Sequence, residues 1–184
     1  MQICPRNRVF VKPISSFVNK DRAILIRADY SPEIYSTRVV QVKAVGESDP
    51  EFIKMEYTGE IPYTPKMDLG IDDVLLIDQA LESVVRNSGS IVDGDVWVIP
   101  KSPSRCIYAY IRDGKVVPVG FNILVKDVIG SSAEVVAVSD DEAVKIKPGD
   151  IVHFRQYSAL PIIVDGQEVF IMDFIQDVVS YTPN

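Results

Sequence analysis

The chain has 184 residues and a net charge of −7, with 47% hydrophobic and 24% charged side chains. That balance excludes a disordered, collagen-like or low-complexity protein, and the acidic excess argues against a nucleic-acid binder, which carries a basic footprint. One His and two Cys exclude, by count, a His-rich metal centre, a Cys-built zinc site and any mechanism that needs several histidines.

The length fits one domain or two small ones. Against 7 Leu and 9 Ala stand 27 Val and 21 Ile. Branched side chains favour strands and Leu and Ala favour helices, so composition predicts an all-β fold. Charge is uneven along the chain. Residues 1–112 carry 14 basic and 15 acidic groups, and residues 113–184 carry 5 and 11. That asymmetry points to two segments with different surfaces. No N-terminal apolar core of signal-peptide length and no membrane-spanning apolar run occurs, so a cytoplasmic protein with reduced Cys4 and Cys106 is expected (host cytoplasm, if the source is viral).

Strand-like runs follow one another from the N-terminus: Arg8 to Lys12, Val39 to Val45, Asp73 to Ile77, Val96 to Ile99 and Cys106 to Ile111. Then come Phe121 to Lys126, Glu134 to Val138, Asp150 to Phe154, Glu168 to Met172 and Asp177 to Tyr181. Turn pairs such as Asp93-Gly94, Asp113-Gly114, Pro148-Gly149 and Asp165-Gly166 punctuate them. Residues 71–86 have mixed spacing that also suits a helix. We read 73–77 as a strand because its pattern recurs in a strand-like context at Asp150 to Phe154.

That recurrence extends to five blocks in the same order. Pro5 to Lys12 echoes Pro118 to Lys126, and Ser36 to Val45 echoes Ser131 to Val138. Asp73 to Gln79 echoes Asp150 to Gln156, Asp95 to Ile99 echoes Glu168 to Met172, and Cys106 to Tyr110 echoes Asp177 to Tyr181. Such order predicts two copies of one small β unit, 1–112 and 113–184, with a seam near Arg112-Asp113-Gly114. The first copy is the longer. It has extra chain between its first two blocks (13–35) and between its second and third (47–70). Long connections in compact domains usually carry function, so the site is expected there.

The ordered set resembles the GroES family of small co-chaperonins. Lys147-Pro148-Gly149-Asp150-Ile151-Val152-His153-Phe154 and Glu168-Val169-Phe170-Ile171-Met172 look like the C-terminal half of that family. Pro5 to Lys12 and Ser36 to Gly46 look like its N-terminal half. The resemblance implies two tandem small β-barrels, the first with a mobile loop at 13–35 and a roof-like insertion at 47–70. It implies a ring-forming homo-oligomer that caps a GroEL-like large chaperonin during ATP-dependent protein folding. It also implies that Ile24, Leu25 and Ile26, an apolar tripeptide upstream of Ser36-Thr37-Arg38, dock on that partner. A short aliphatic knob supplies burial, a flexible loop costs ordering entropy that keeps affinity moderate, and several loops in a ring act together. The sequence departs from the family at Asp21-Arg22-Ala23, where glycines are usual, and in Glu47-Ser48-Asp49-Pro50-Glu51, which is not the usual roof. Family rings pair the terminal strands of neighbouring chains, and the seam of a tandem chain imitates one such contact. Where the second barrels sit in a ring stays open.

Other readings are weaker. Ile24-Leu25-Ile26 also suits an ordinary strand. His153, between Val152 and Phe154, reads as an outward or satisfied histidine rather than a ligand or base. Trp97 reads as core. Asp72-Asp73 and Asp140-Asp141-Glu142 read as solvated turn acids, since neither sits in a calcium-type loop. No nucleophile has a nearby base, so no enzyme, no cofactor and no metal is expected. Zinc alcohol dehydrogenases share a GroES-like barrel, but their ligand set and dinucleotide fingerprint are missing. A single-stranded nucleic-acid barrel has only Lys20, Arg22, Arg27, Arg38 and Lys43 with Tyr30 and Tyr35 in its favour, offset by neighbouring acids. The alternative to a co-chaperonin is a structural or assembly protein, a viral one included, that retains the GroES-like fold without the chaperone role.

Overall fold

The computed structural model describes residues 3–16, 37–48, 67–78, 80–92, 95–101, 106–113, 115–155, 159–164 and 167–184. Those residues form two antiparallel sheets and one helix. The first sheet contains β1 (Arg8–Ser16), β2 (Thr37–Val45), β3 (Val74–Asp78), β4 (Ile91–Val92), β5 (Val96–Pro100), β6 (Ile107–Arg112) and β7 (Lys115–Pro118). The second contains β8 (Asn122–Ile129), β9 (Ser132–Val138), β10 (Ile151–Phe154), β11 (Leu160–Val164), β12 (Gln167–Asp173) and β13 (Val178–Thr182). All ten expected runs fall on strands, which agrees with the all-β expectation.

The strand order is β4-β5-β1-β2-β3-β6-β7 in the first sheet and β11-β12-β8-β9-β10-β13 in the second. Apart from β7 the two orders match element for element. The registers agree as well. Val9 faces Val45 as Ile123 faces Val138, and Leu75 faces Val40 as Val152 faces Ala133. Trp97 faces Val11 as Phe170 faces Val125. Irregularities recur at corresponding places, between Phe10 and Val11 and between Leu124 and Val125, and again between Leu76 and Ile77 and between His153 and Phe154.

Strand periodicity explains the cores. Successive side chains point to opposite faces, so alternate residues share one face. Val9, Val11, Val40, Val42, Leu75, Ile77, Trp97, Ile99 and Ile107 build the first core. Ile123, Val125, Ala133, Val135, Val152, Phe154 and Met172 build the second. A third cluster uses the opposite faces and joins the sheets. Val39, Leu76 and Ala109 of the first pack with Leu124, Val169 and Ile171 of the second. Burying one such Val, Leu or Ile is worth about 1.5–3 kcal/mol. Five such side chains, with Ala109 beside them, hold the sheets as neighbours rather than as beads on a string.

Beyond β4 and β11, which match none of the expected runs, three features depart from the sequence expectations. The helix α1 (Ala80–Ser88) follows closely on β3, so the stretch 71–86, whose spacing suited either element, holds a strand and then the start of a helix. Leu81 and Val85, one turn apart, drive it onto the first core. It ends at Gly89, whose φ is +66°, and the Ser90 N–H donates to the Val85 carbonyl at 3.1 Å, closing the helix end. Second, β7 lies past the expected seam but pairs with β6 of the first sheet, through a tight turn at Asp113 with φ +52°. Third, β1 runs on to Ser16, so part of the expected 13–35 loop is strand.

Candidate functional site: the loop stems and the seam

Ile24, Leu25 and Ile26 lie outside the described residues, as does most of the 47–70 insertion. The structure does describe where each segment leaves and rejoins the sheet. Ser16 faces Arg38, so residues 17–36 leave and return through adjacent paired strands. The equivalent connection in the second sheet is the Gly130-Ser131 turn, with Ile129 facing Ser132. Beside the first stem, Thr37 faces Asp78. The Tyr108 hydroxyl donates to an Asp78 carboxylate oxygen at 2.7 Å. Burial, with the Asp78 charge adding to it, pushes the Tyr108 phenol well above its usual range, so this bond stays protonated and fixed.

The stems of the second insertion are held by a charged network. Arg112 donates from Nε and Nη2 to the two Asp73 carboxylate oxygens at 3.1 and 2.7 Å, a two-point pairing. It also donates to the Asp68 carbonyl at 3.1 Å and lies 4.7 Å from the Tyr110 ring centre. The Gly70 N–H donates to Asp73 at 2.7 Å. The Arg112 guanidinium beside Asp73 holds its carboxyl below the usual carboxylate range. Asp73 is therefore a buried, paired anchor and not the solvated turn acid expected. Asp141 is buried as well. On the outgoing stem, the Glu47 carbonyl accepts the Asn7 N–H at 2.8 Å. Burial pushes the nearby Lys101 ammonium down, and its Nζ donates to the Gly46 carbonyl at 3.4 Å.

A cleft of about 300 Å³ opens where these stems meet the end of β7 and the segment after β9, lined by Met67, Asp68, Tyr110, Pro118, Val119 and Asp140. Sequence reasoning missed Arg112 and Tyr108 as organising residues. Their partners are 39 and 30 residues away, and no local pattern marks such pairs. Trp97 is in the core. His153 is exposed, with its Nδ1 2.8 Å from the Ser132 hydroxyl. Among the described residues, no group of three His, Cys, Asp or Glu is arranged to hold a metal, and no helix is long and apolar enough to cross a membrane.

Two antiparallel sheets of short strands, with a long segment spliced between the first two strands, define an all-β protein whose distinctive feature is a connection. Comparison with known proteins gives a relative for it. The chain is 45% identical over 42 residues to the Co-chaperonin GroES of Rubrobacter xylanophilus. The match covers 23% of this chain and 48% of that protein, so the chain spans about half the length of the relative. No family model matches. The chain is thus GroES-like over part of its length.

Proposed function

We propose that this chain is a co-chaperonin made of two tandem GroES-like barrels, 1–112 and 113–184. The observation that carries the proposal is the local match to a protein named Co-chaperonin GroES. The two-unit reading is supported by the shared strand order, the shared registers and the shared irregularities. In this reading the segment between Ser16 and Thr37 carries Ile24, Leu25 and Ile26 to a GroEL-like large chaperonin. The second unit, with its Gly130-Ser131 turn in that place, does not dock by this route. The protein works in the cytoplasm by binding and closing, not by catalysis.

Self-association follows the same logic. β7 covers the β6 edge inside the chain, while β13, the counterpart of β6, ends the second sheet. Counting back in register from Val9 and from Ile123 sets Ile3 opposite the place of Val117 in β7. Ile3 is 91% exposed. The exposed Ile3 of one copy is thus placed to cover the β13 edge of another, and repetition closes a ring.

The direct test is to mix the purified protein with a GroEL-like chaperonin and ATP, and look for a co-sedimenting, capped particle. Leu25→Ser is expected to weaken that complex by about tenfold or more, given the loss of one buried aliphatic group, and to leave the melting temperature unchanged. Normal binding by Leu25→Ser would remove the tripeptide from the docking role. No complex with any large chaperonin of its own host would leave the structural or assembly alternative in its place.

A further inference from the structure

Inside the chain, the face that the first sheet presents to the second is apolar. Val39, Leu76 and Ala109 are direct register partners across β2, β3 and β6, and all three are buried against the second sheet. The same registers in the second sheet set Ser132, His153 and Ser180 in line across β9, β10 and β13. His153 and Ser180 are exposed. Around that polar row, the positions of Val74 and Tyr108 are taken by Ile151 and Val179. Val74 and Tyr108 pack into the joining cluster, whereas Ile151 and Val179 are 36% and 69% exposed. The second sheet therefore repeats the outline of the seam face, keeps apolar groups at its margin and replaces its apolar centre with Ser, His and Ser.

We propose that this face, with His153 at its centre, is the surface on which the next copy of the chain sits, and that its polar centre makes the contact between chains weaker than the seam within one. The proposal rests on the two-unit reading above, and not on docking to a chaperonin. Its occupant is a second copy because the matching interface already exists inside the chain. There Leu124, Val169 and Ile171 of the second sheet cover the first. The corresponding residues of the first sheet are Phe10, Val96 and Val98; Phe10 is already buried within its own chain, and the half-buried Val96 and Val98 are what the neighbouring chain brings. Two classes of contact follow from one geometry. The seam is apolar and covalently continuous. The chain-to-chain contact must strip water from an imidazole and two hydroxyls before it gains any apolar area, which costs affinity wherever pairing is imperfect. An assembly built this way loses and regains whole two-unit chains, never half-chains.

The test measures mass in solution as a function of protein concentration, with no chaperonin present. Ile3→Lys is the control for the terminal-strand contact, and His153→Leu places at the centre of the face the residue type found at Leu76. His153 is exposed, so the variant is expected to fold, which circular dichroism and a thermal melt check. His153→Leu is expected to tighten association about tenfold, and His153→Asp to weaken it by a similar factor. If both His153 variants associate like the wild type while Ile3→Lys abolishes association, copies meet through their terminal strands alone and this face is not in the contact. A wild-type chain that stays single at every concentration overturns this proposal and the ring together, and leaves chaperonin binding to be judged separately.

Discussion

Arg112 organises the stem of the second insertion through several contacts at once. It ends β6, pairs with Asp73 at the start of β3, and ties down the Asp68 backbone where the 47–70 insertion returns. Because Asp73 is held below its usual value of 3.8, the folded state binds its proton less readily than the unfolded chain does. The pair therefore adds stability above that value, and the contribution is lost as pH falls through the lower folded value. Asp173 has the opposite sign. Burial raises its carboxyl, so its unfavourable contribution fades as pH falls. Comparing wild type with Arg112→Met isolates the first effect. Urea melts are expected to show Arg112→Met less stable at pH 7, with a shallower further loss between pH 5 and pH 2. Parallel curves for the two proteins would mean that the ion pair contributes nothing. The Arg112–Asp73 pair was not legible in the sequence, because only the pairing of β3 with β6 brings residues 39 apart into contact.

At the scale of elements, the strands were legible and the additions to them were not. Alternation of Val and Ile with polar residues is a strong local signal for strands that each bury one face. β4 and β7 are short edge strands of 2 and 4 residues, and they exist because a neighbour offers an unpaired edge. α1 was half legible: the spacing of 71–86 suited a helix as well as a strand, and a helix of 9 residues held by two core contacts, Leu81 and Val85, leaves only a short periodic signal. Its C-terminal Gly89 offers a clean test. Open space surrounds the position where a Cβ would go, so Gly89→Ala meets no clash and its cost is purely conformational. A loss of about 1 kcal/mol is expected in a denaturant melt. A neutral result would mean that the helix ends without the left-handed residue.

At the scale of the molecule, the two sheets share a plan and differ in what is spliced into it. Where the first sheet sends out residues 17–36, the second turns at Gly130-Ser131. The segment is therefore inserted at a place where the second sheet's hairpin closes directly. Replacing residues 17–36 with Asn-Gly is expected to leave the protein folded, and to stabilise it by about 1–2 kcal/mol through the shorter loop closure. The same replacement is expected to abolish binding to a large chaperonin. Thermal melts and co-sedimentation check the two halves of that expectation. Collapse of the fold would show that the segment is part of the first core.

The sequence by itself determined the fold class, ten of the thirteen described strands and the recurrence of their pattern along the chain, because each depends on side-chain alternation and turn residues within a few positions of one another. It also pointed to the two long connections of the first half. Only the tertiary structure decided how the halves meet. The pairing of β7 with β6, the cluster of Val39, Leu76 and Ala109 with Leu124, Val169 and Ile171, and the Arg112–Asp73 anchor all join residues distant in the chain. Such contacts depend on which faces the strands present once every backbone hydrogen bond is made, and no local run of residues records that.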